Sequence, residues 1–179
     1  MDLDHTDTAA RAAEAGMAPP PAEQPGFYHG QPLASWKQRA LALILDWGFG
    51  LLLVAPGGVL VGIGAVIDNG KGRGSGLLAV GGLLLVAGIL VQIWQMGWRQ
   101  GSKGRSWGKQ AFGLQTVRAS DLQLLGGWVG LGRLLIEDLI TSNALMMLLT
   151  YLWPLRDRQH QTWHDKIANS VVLSRPVTG

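Results

Sequence analysis

Apolar residues in this chain come in blocks long enough to cross a bilayer, and that pattern limits the fold more than any short motif does. The stretches around 35–67, 77–98 and 128–153 are nearly continuous runs of leucine, isoleucine, valine, alanine and glycine, with most charges swept into the gaps. A helix of about 20 apolar residues covers the roughly 30 Å of hydrocarbon in a membrane. Hydrophobic residues make up 47% of the 179 and charged residues 15%, averages that a soluble domain can approach, so the clustering decides the class. The expected fold is a mainly α membrane protein: a transmembrane helical hairpin followed by a third helical region, re-entrant or spanning.

The first block holds two charges that an apolar span should not hold, Arg39 at its mouth and Asp46 inside it. Seven residues are two helical turns, so both lie on nearly one face, about 10 Å apart along the axis. An unpaired carboxylate at that depth is costly unless it is protonated, paired or wetted. Two readings stay open: a cation or proton site with Asp46 as the titrating group, or a buried polar pin that holds helices in register. Arg39 by itself can snorkel to the headgroups. Pro56 predicts a kink, and the glycine-rich 68–76 segment predicts a simple connector. No strand precedes its Gly70-Lys71-Gly72 and no Gly-Lys-Ser/Thr follows, so it is not read as a phosphate loop.

Trp94 and Trp98 close the second block, and Arg99, Lys103, Arg105 and Lys109 follow at once. Tryptophan at headgroup level with basic residues beyond it marks a cytoplasmic boundary, as do Trp36, Lys37 and Arg39. Both signals put the amino terminus inside, the 68–76 loop outside and the 99–127 segment inside. Within that segment, 110–125 alternates loosely around a turn at 119–121 and predicts a β-hairpin. A hairpin alone is marginal, so the strand-like 167–173 segment is expected to join it.

The third block is interrupted by Arg133, Glu137 and Asp138. A full crossing would strand Arg156, Arg158, Lys166 and Arg175 outside and part the strands from each other. The favoured arrangement is an interfacial helix over about 128–140, a break near 141–143, and a half-helix returning to the cytoplasmic side; a third complete span is the alternative. Arg133 and Glu137 form an i, i+4 pair. Asp138 points about 100° away, toward Asp46, a cleft or solvent. His160 and His164 are also i, i+4, but nothing in sequence completes a ligand set, so no metal is expected. Asp165 suits a helix cap or a basic partner. Gly58 and Gly62 form a GxxxG, with further glycines at 81, 82 and 88, which predicts close helix packing.

Residues 1–34 carry five acids against Arg11, a net of −4, so the remainder must carry +7 for the chain to total +3. This acidic arm, proline-rich over 18–25, is expected to be disordered. It lacks the basic start and apolar run of a signal peptide, leaving the first helix as an uncleaved anchor. The domain boundaries follow: arm 1–34, membrane domain 35–174, tail 175–179. No aromatic and basic stripe accompanies the positive charge, which argues against nucleic acid. With no cysteine, thiolate chemistry is excluded. No serine, histidine and acid set, dinucleotide fingerprint or paired-metal signature is present, so neither enzymatic activity nor a cofactor is expected.

Three ordered blocks carry a resemblance. They are Trp36-Lys37-Gln38-Arg39-Ala40-Leu41-Ala42-Leu43-Ile44-Leu45-Asp46, then Ser106-Trp107-Gly108-Lys109-Gln110-Ala111-Phe112-Gly113-Leu114, and finally Gln161-Thr162-Trp163-His164-Asp165-Lys166-Ile167-Ala168-Asn169-Ser170-Val171-Val172. Together they resemble the RDD family of small bacterial membrane proteins, named for one arginine and two aspartates. The resemblance covers about 34–174 and maps the three name-giving residues to Arg39, Asp46 and Asp165. Asn169 departs from it, since many members would carry glycine there. It implies a bacterial membrane module of largely unknown role; with the charge pattern, the expectation is a multi-pass protein of the inner membrane, with both termini cytoplasmic and the lipid bilayer as its partner. Some relatives are associated with cation-proton exchange, which would suit Asp46. The leading expectation is ion or small-solute transport, as a homo-oligomer or with other membrane proteins; the competing one is a structural or accessory subunit whose polar residues fix packing and whose arm recruits a partner. The candidate ion or proton site is therefore Arg39, Asp46 and Asp165, with Arg133, Glu137, Asp138 and His164 as secondary polar candidates.

Overall fold

A run of good helix formers after Ser35, with no glycine before Gly48, starts the first helix. In the computed structural model, which describes residues 26–68, 70–157 and 159–175, that helix, α1, runs unbroken over Trp36–Asp68, with Pro56 inside it. The α2 helix follows over Ser75–Ile93, continues as a π-helical turn over Trp94–Arg99, and ends in a short helix, α3, over Gln100–Lys103. These are the two helices long and apolar enough to cross a membrane, 33 and 29 residues. Only 17% and 11% of their apolar windows are buried within the chain. A core helix of a soluble protein would be mostly buried; surfaces this apolar and this bare suit hydrocarbon.

The hairpin closes on glycine. A Cβ added at Gly57 would lie 2.6 Å from the Leu85 nitrogen, one at Gly81 2.7 Å from the Val61 nitrogen, and one at Gly88 2.6 Å from the Leu53 oxygen. The helices thus touch backbone to backbone, which any side chain would prevent. The expected pair, Gly58 and Gly62, faces open space instead. The contact runs along residues spaced by seven: 50, 57 and 64 on α1, and 74, 81 and 88 leading into and along α2.

Beyond the hairpin lie α4 (Trp107–Ala111) and β3 (Gln115–Arg118). The third apolar block is broken, as expected, into α5 (Gly127–Thr141) and α6 (Ala144–Leu152). Asn143 makes the break by accepting from the Leu145 N–H at 2.9 Å, an N-cap for the second piece. The two pieces fold back on each other: the Tyr151 hydroxyl donates to Glu137 at 2.9 Å. The Trp36 indole donates to the Tyr151 carbonyl at 2.8 Å, so the end of α6 returns to the start of α1. Neither piece is long enough to span by itself.

The hairpin expected over 110–125 does not form. Its first residues belong to α4, and β3 pairs antiparallel with β4 (Ser170–Leu173), with Val117 opposite Val171. The Arg118 N–H still bonds the Gln123 carbonyl, but only as a turn. The fold also begins before residue 35. Strands β1 (Phe27–Tyr28) and β2 (Gln31–Pro32) pair with each other, and Leu33 bridges to Leu173. Tyr28, Leu33, Val117, Val171 and Leu173 make one small core, and Ala34, Ala42, Leu114 and Val172 another. The arm over 1–25 lies outside the described residues.

Candidate functional site

Asp165 gathers the charges. It lies in a short helix, α7 (Trp163–Ile167), whose N-cap is Thr162. The Thr162 hydroxyl accepts from the Asp165 N–H and the Asp165 carboxylate accepts from the Thr162 N–H, both at 3.3 Å. This is the capping box that Thr162-Trp163-His164-Asp165 encodes, with aspartate in the usual glutamate position. The carboxylate is 1% exposed. Arg39 donates through Nη1 to one oxygen at 2.8 Å, while Arg133 donates through Nη2 and Nε to the other at 2.7 and 3.1 Å. One buried carboxylate therefore joins α1, α5 and α7. Burial alone would raise its pKa, but Arg133 and Arg39 more than offset that and hold it well below the usual carboxylate range.

The expected Arg133–Glu137 pair is present but long, at 3.8 Å; the short bonds of Arg133 go to Asp165. His164 is buried with its Nε2 3.8 Å from both Glu137 and Asp165, and burial pushes its pKa down to about 4. At neutral pH it is an uncharged neighbour. His160 turns away at a φ of +52° and meets the Ala34 carbonyl, so the two histidines do not form a helical pair. Asp138 is exposed, outside this cluster. Asn169 has a φ of +46°, a left-handed conformation that glycine takes freely and asparagine tolerates.

Asp46 keeps separate company. It is 2% exposed and accepts from the Gly108 N–H at 2.8 Å, the Ser106 hydroxyl at 2.5 Å and the Gln95 amide at 3.4 Å. Ser106 is the N-cap of α4, so Asp46 receives the first donors of that helix, where an anion is favoured. A Cβ on Gly108 would meet the Ala42 carbonyl at 2.0 Å, so only glycine lets α4 approach. No cation is among the bonding partners of Asp46 in the described residues. The π turn matters here, because its wider coil buries Gln95 and Arg99 together.

The two sets meet across a cavity of about 110 Å³, lined by Arg39, Asp46, Lys109, Arg133, Glu137 and Asp165 among others. Lys109 donates to the Thr116 hydroxyl at 3.0 Å, and burial, reinforced by Arg133, lowers its pKa to about 7. The Gln100 amide oxygen, turned to suit its neighbours, accepts from both Lys109 and Arg133. Sequence reasoning did not single out Gln95 or Gln100, and it read Lys109 as a boundary charge rather than a site residue. The polar residues at the end of an otherwise apolar span, and a serine one position before a short helix, were the available signals.

These features define a class: a two-helix membrane module whose broken third helix and carboxy-terminal strand are tied to one end by buried ion pairs. The RDD family model matches residues 33–169, and the chain belongs to that family of membrane proteins. It is similar to the "Proline-rich antigen homolog" of Mycobacterium tuberculosis, 31% identical over 158 residues, 77% of this chain and 62% of the relative. The "Proline-rich antigen" of Mycobacterium leprae is 27% identical over 159 residues, 77% of this chain and 59% of that one. The chain thus spans less than two thirds of these relatives. No solved structure matches it significantly.

Proposed function

We propose that this chain is a non-catalytic accessory module of the bacterial plasma membrane, with both termini cytoplasmic, that offers a fixed cytoplasmic face to another membrane protein or a second copy. The observation that carries this reading is the use of the three signature residues. Arg39 and Asp165 pair with each other, and Asp46 seats α4 on α1. Groups consumed in such contacts build a face; they are poorly placed to turn over a substrate.

A second reading, cation-proton exchange through Asp46, is favoured by one observation. Asp46 lines the cavity and accepts from neutral donors alone. Purified protein in liposomes, assayed for pH-driven cation flux, separates the two. The accessory reading expects no flux above that of empty liposomes for wild type or Asp46→Asn. Flux in wild type that disappears in Asp46→Asn would replace it with exchange.

A further inference from the structure

The Arg39 guanidinium uses one nitrogen on Asp165. Its other two, Nε and Nη2, are buried without a hydrogen-bond partner among the described residues. These nitrogens form the side-on edge of the guanidinium, the fork that takes a carboxylate or phosphate through two parallel bonds. Leaving two such donors dry is expensive. His164 Nδ1 is likewise buried and unpartnered, and His164 lines the same cavity as Arg39.

That cavity is not alone. Met96, Glu137 and Tyr151 also line a second one of about 390 Å³, whose apolar walls are Trp47, Leu51 and Val54 of α1, Ile89 and Ile93 of α2, and Leu134 of α5, with Gln92, Asp138 and Thr141 as polar residues at its side. Leu51 is 66% exposed and Trp47 63%, on the surface suited to hydrocarbon. A charged chamber thus shares walls with a largely apolar groove along the hairpin.

We propose that the chamber and groove together bind one membrane phospholipid, with its headgroup phosphate on the Arg39 fork and an acyl chain along the groove. The charges in the chamber narrow the headgroup. Arg39, Lys109 and Arg133 face Asp46, Glu137 and Asp165, three groups of each kind, and with Lys109 only partly protonated at neutral pH the chamber has no positive charge to spare. A purely anionic headgroup would add an uncompensated buried charge, which is costly. A headgroup bearing both a phosphate and a protonated primary amine keeps the balance, its ammonium donating toward Glu137 and Asp46. Phosphatidylethanolamine has that chemistry; phosphatidylglycerol lacks the amine, and phosphatidylcholine has no N–H to donate.

Lipid retention and cation flux are separate measurements, so this inference and the proposed function fail separately. The full chain, purified in mild detergent, is offered the three lipids in equal amounts and the bound species are counted by native mass spectrometry. Phosphatidylethanolamine is expected to exceed each of the others by about tenfold. Arg39→Lys keeps the charge and removes the fork, and should erase that preference. Leu51→Trp fills the groove outside the ion network, and should reduce retention of all three. It keeps the test decisive if Arg39→Lys does not fold. Equal retention of the three lipids overturns the headgroup assignment. Retention unaffected by Leu51→Trp, or soluble glycerophosphoethanolamine binding as tightly as the lipid, overturns the groove.

Discussion

Asp165 is where the sequence already held two structural roles, helix cap and ion-pair partner, and the same carboxylate performs both. What the chain order could not convey is that two arginines, 126 and 32 residues away, converge on it. Spacing predicts contacts within one helix, such as Arg133 with Glu137; it carries nothing about side chains from three helices meeting at one end. Asp165→Asn would leave two buried guanidiniums facing each other without their anion. A loss of about 3–5 kcal/mol is expected for such a break, read as a lower thermal midpoint in detergent. His164 adds a pH dependence. Its ordinary pKa of 6.5 falls to about 4 in the fold, so the unfolded chain takes up the proton first. Stability from this residue is full above about 6.5 and declines as the pH drops toward 4. Asp165 works at lower pH: its depressed pKa contributes stability above 3.8, lost as the pH falls further. The midpoint of wild type should therefore drop between pH 6.5 and 4. His164→Asn should flatten that drop, and an unchanged slope would remove the histidine from the account.

The two long apolar helices and the break at 141–143 were legible at the scale of elements, because apolar length and charges interrupting an apolar block are local signals. Pairing was not. A four-residue glycine spacing is the familiar packing motif, yet the hairpin closes on a seven-residue one, and only the partner helix reveals which stripe faces inward. Strand β3 likewise alternates as a hairpin arm would, but its partner β4 lies more than 50 residues on. Register across such distances is set by burial of Val117, Val171 and Leu173, which no local window contains. The glycine stripe makes a sharp prediction. Gly81→Ala places a methyl against the Val61 backbone and should lower the thermal midpoint. Its neighbour Gly82 has nothing within 4 Å, so Gly82→Ala should be neutral or stabilising by up to about 1 kcal/mol through helix propensity. Equal effects at the two positions would show that the helices do not close on this stripe.

For the whole molecule, the contacts divide the chain between two ends of one hairpin. Leu33 bridges Leu173, and Trp36 meets Tyr151, so the start of α1, the end of α6 and β4 gather at one end. The connector around Lys71 lies at the other, a helix of 33 residues away, or about 50 Å at 1.5 Å per residue. Basic residues are concentrated at the first end, and the proposed orientation, which rests on the positive-inside bias, puts that end in the cytoplasm. The chain has no cysteine, so single cysteines report without background. In intact cells a membrane-impermeant maleimide should label Lys71→Cys and spare Arg175→Cys, with the pattern reversed in inverted vesicles. Labelling of both from outside would mean that the third block crosses the membrane. The ion pairs that bring Arg39 and Arg133 onto Asp165 could not then form, because their elements would stand on opposite faces. The two experiments are thus linked: if both cysteines label from outside, any loss of stability in Asp165→Asn comes from the Thr162 capping box and not from the two arginines.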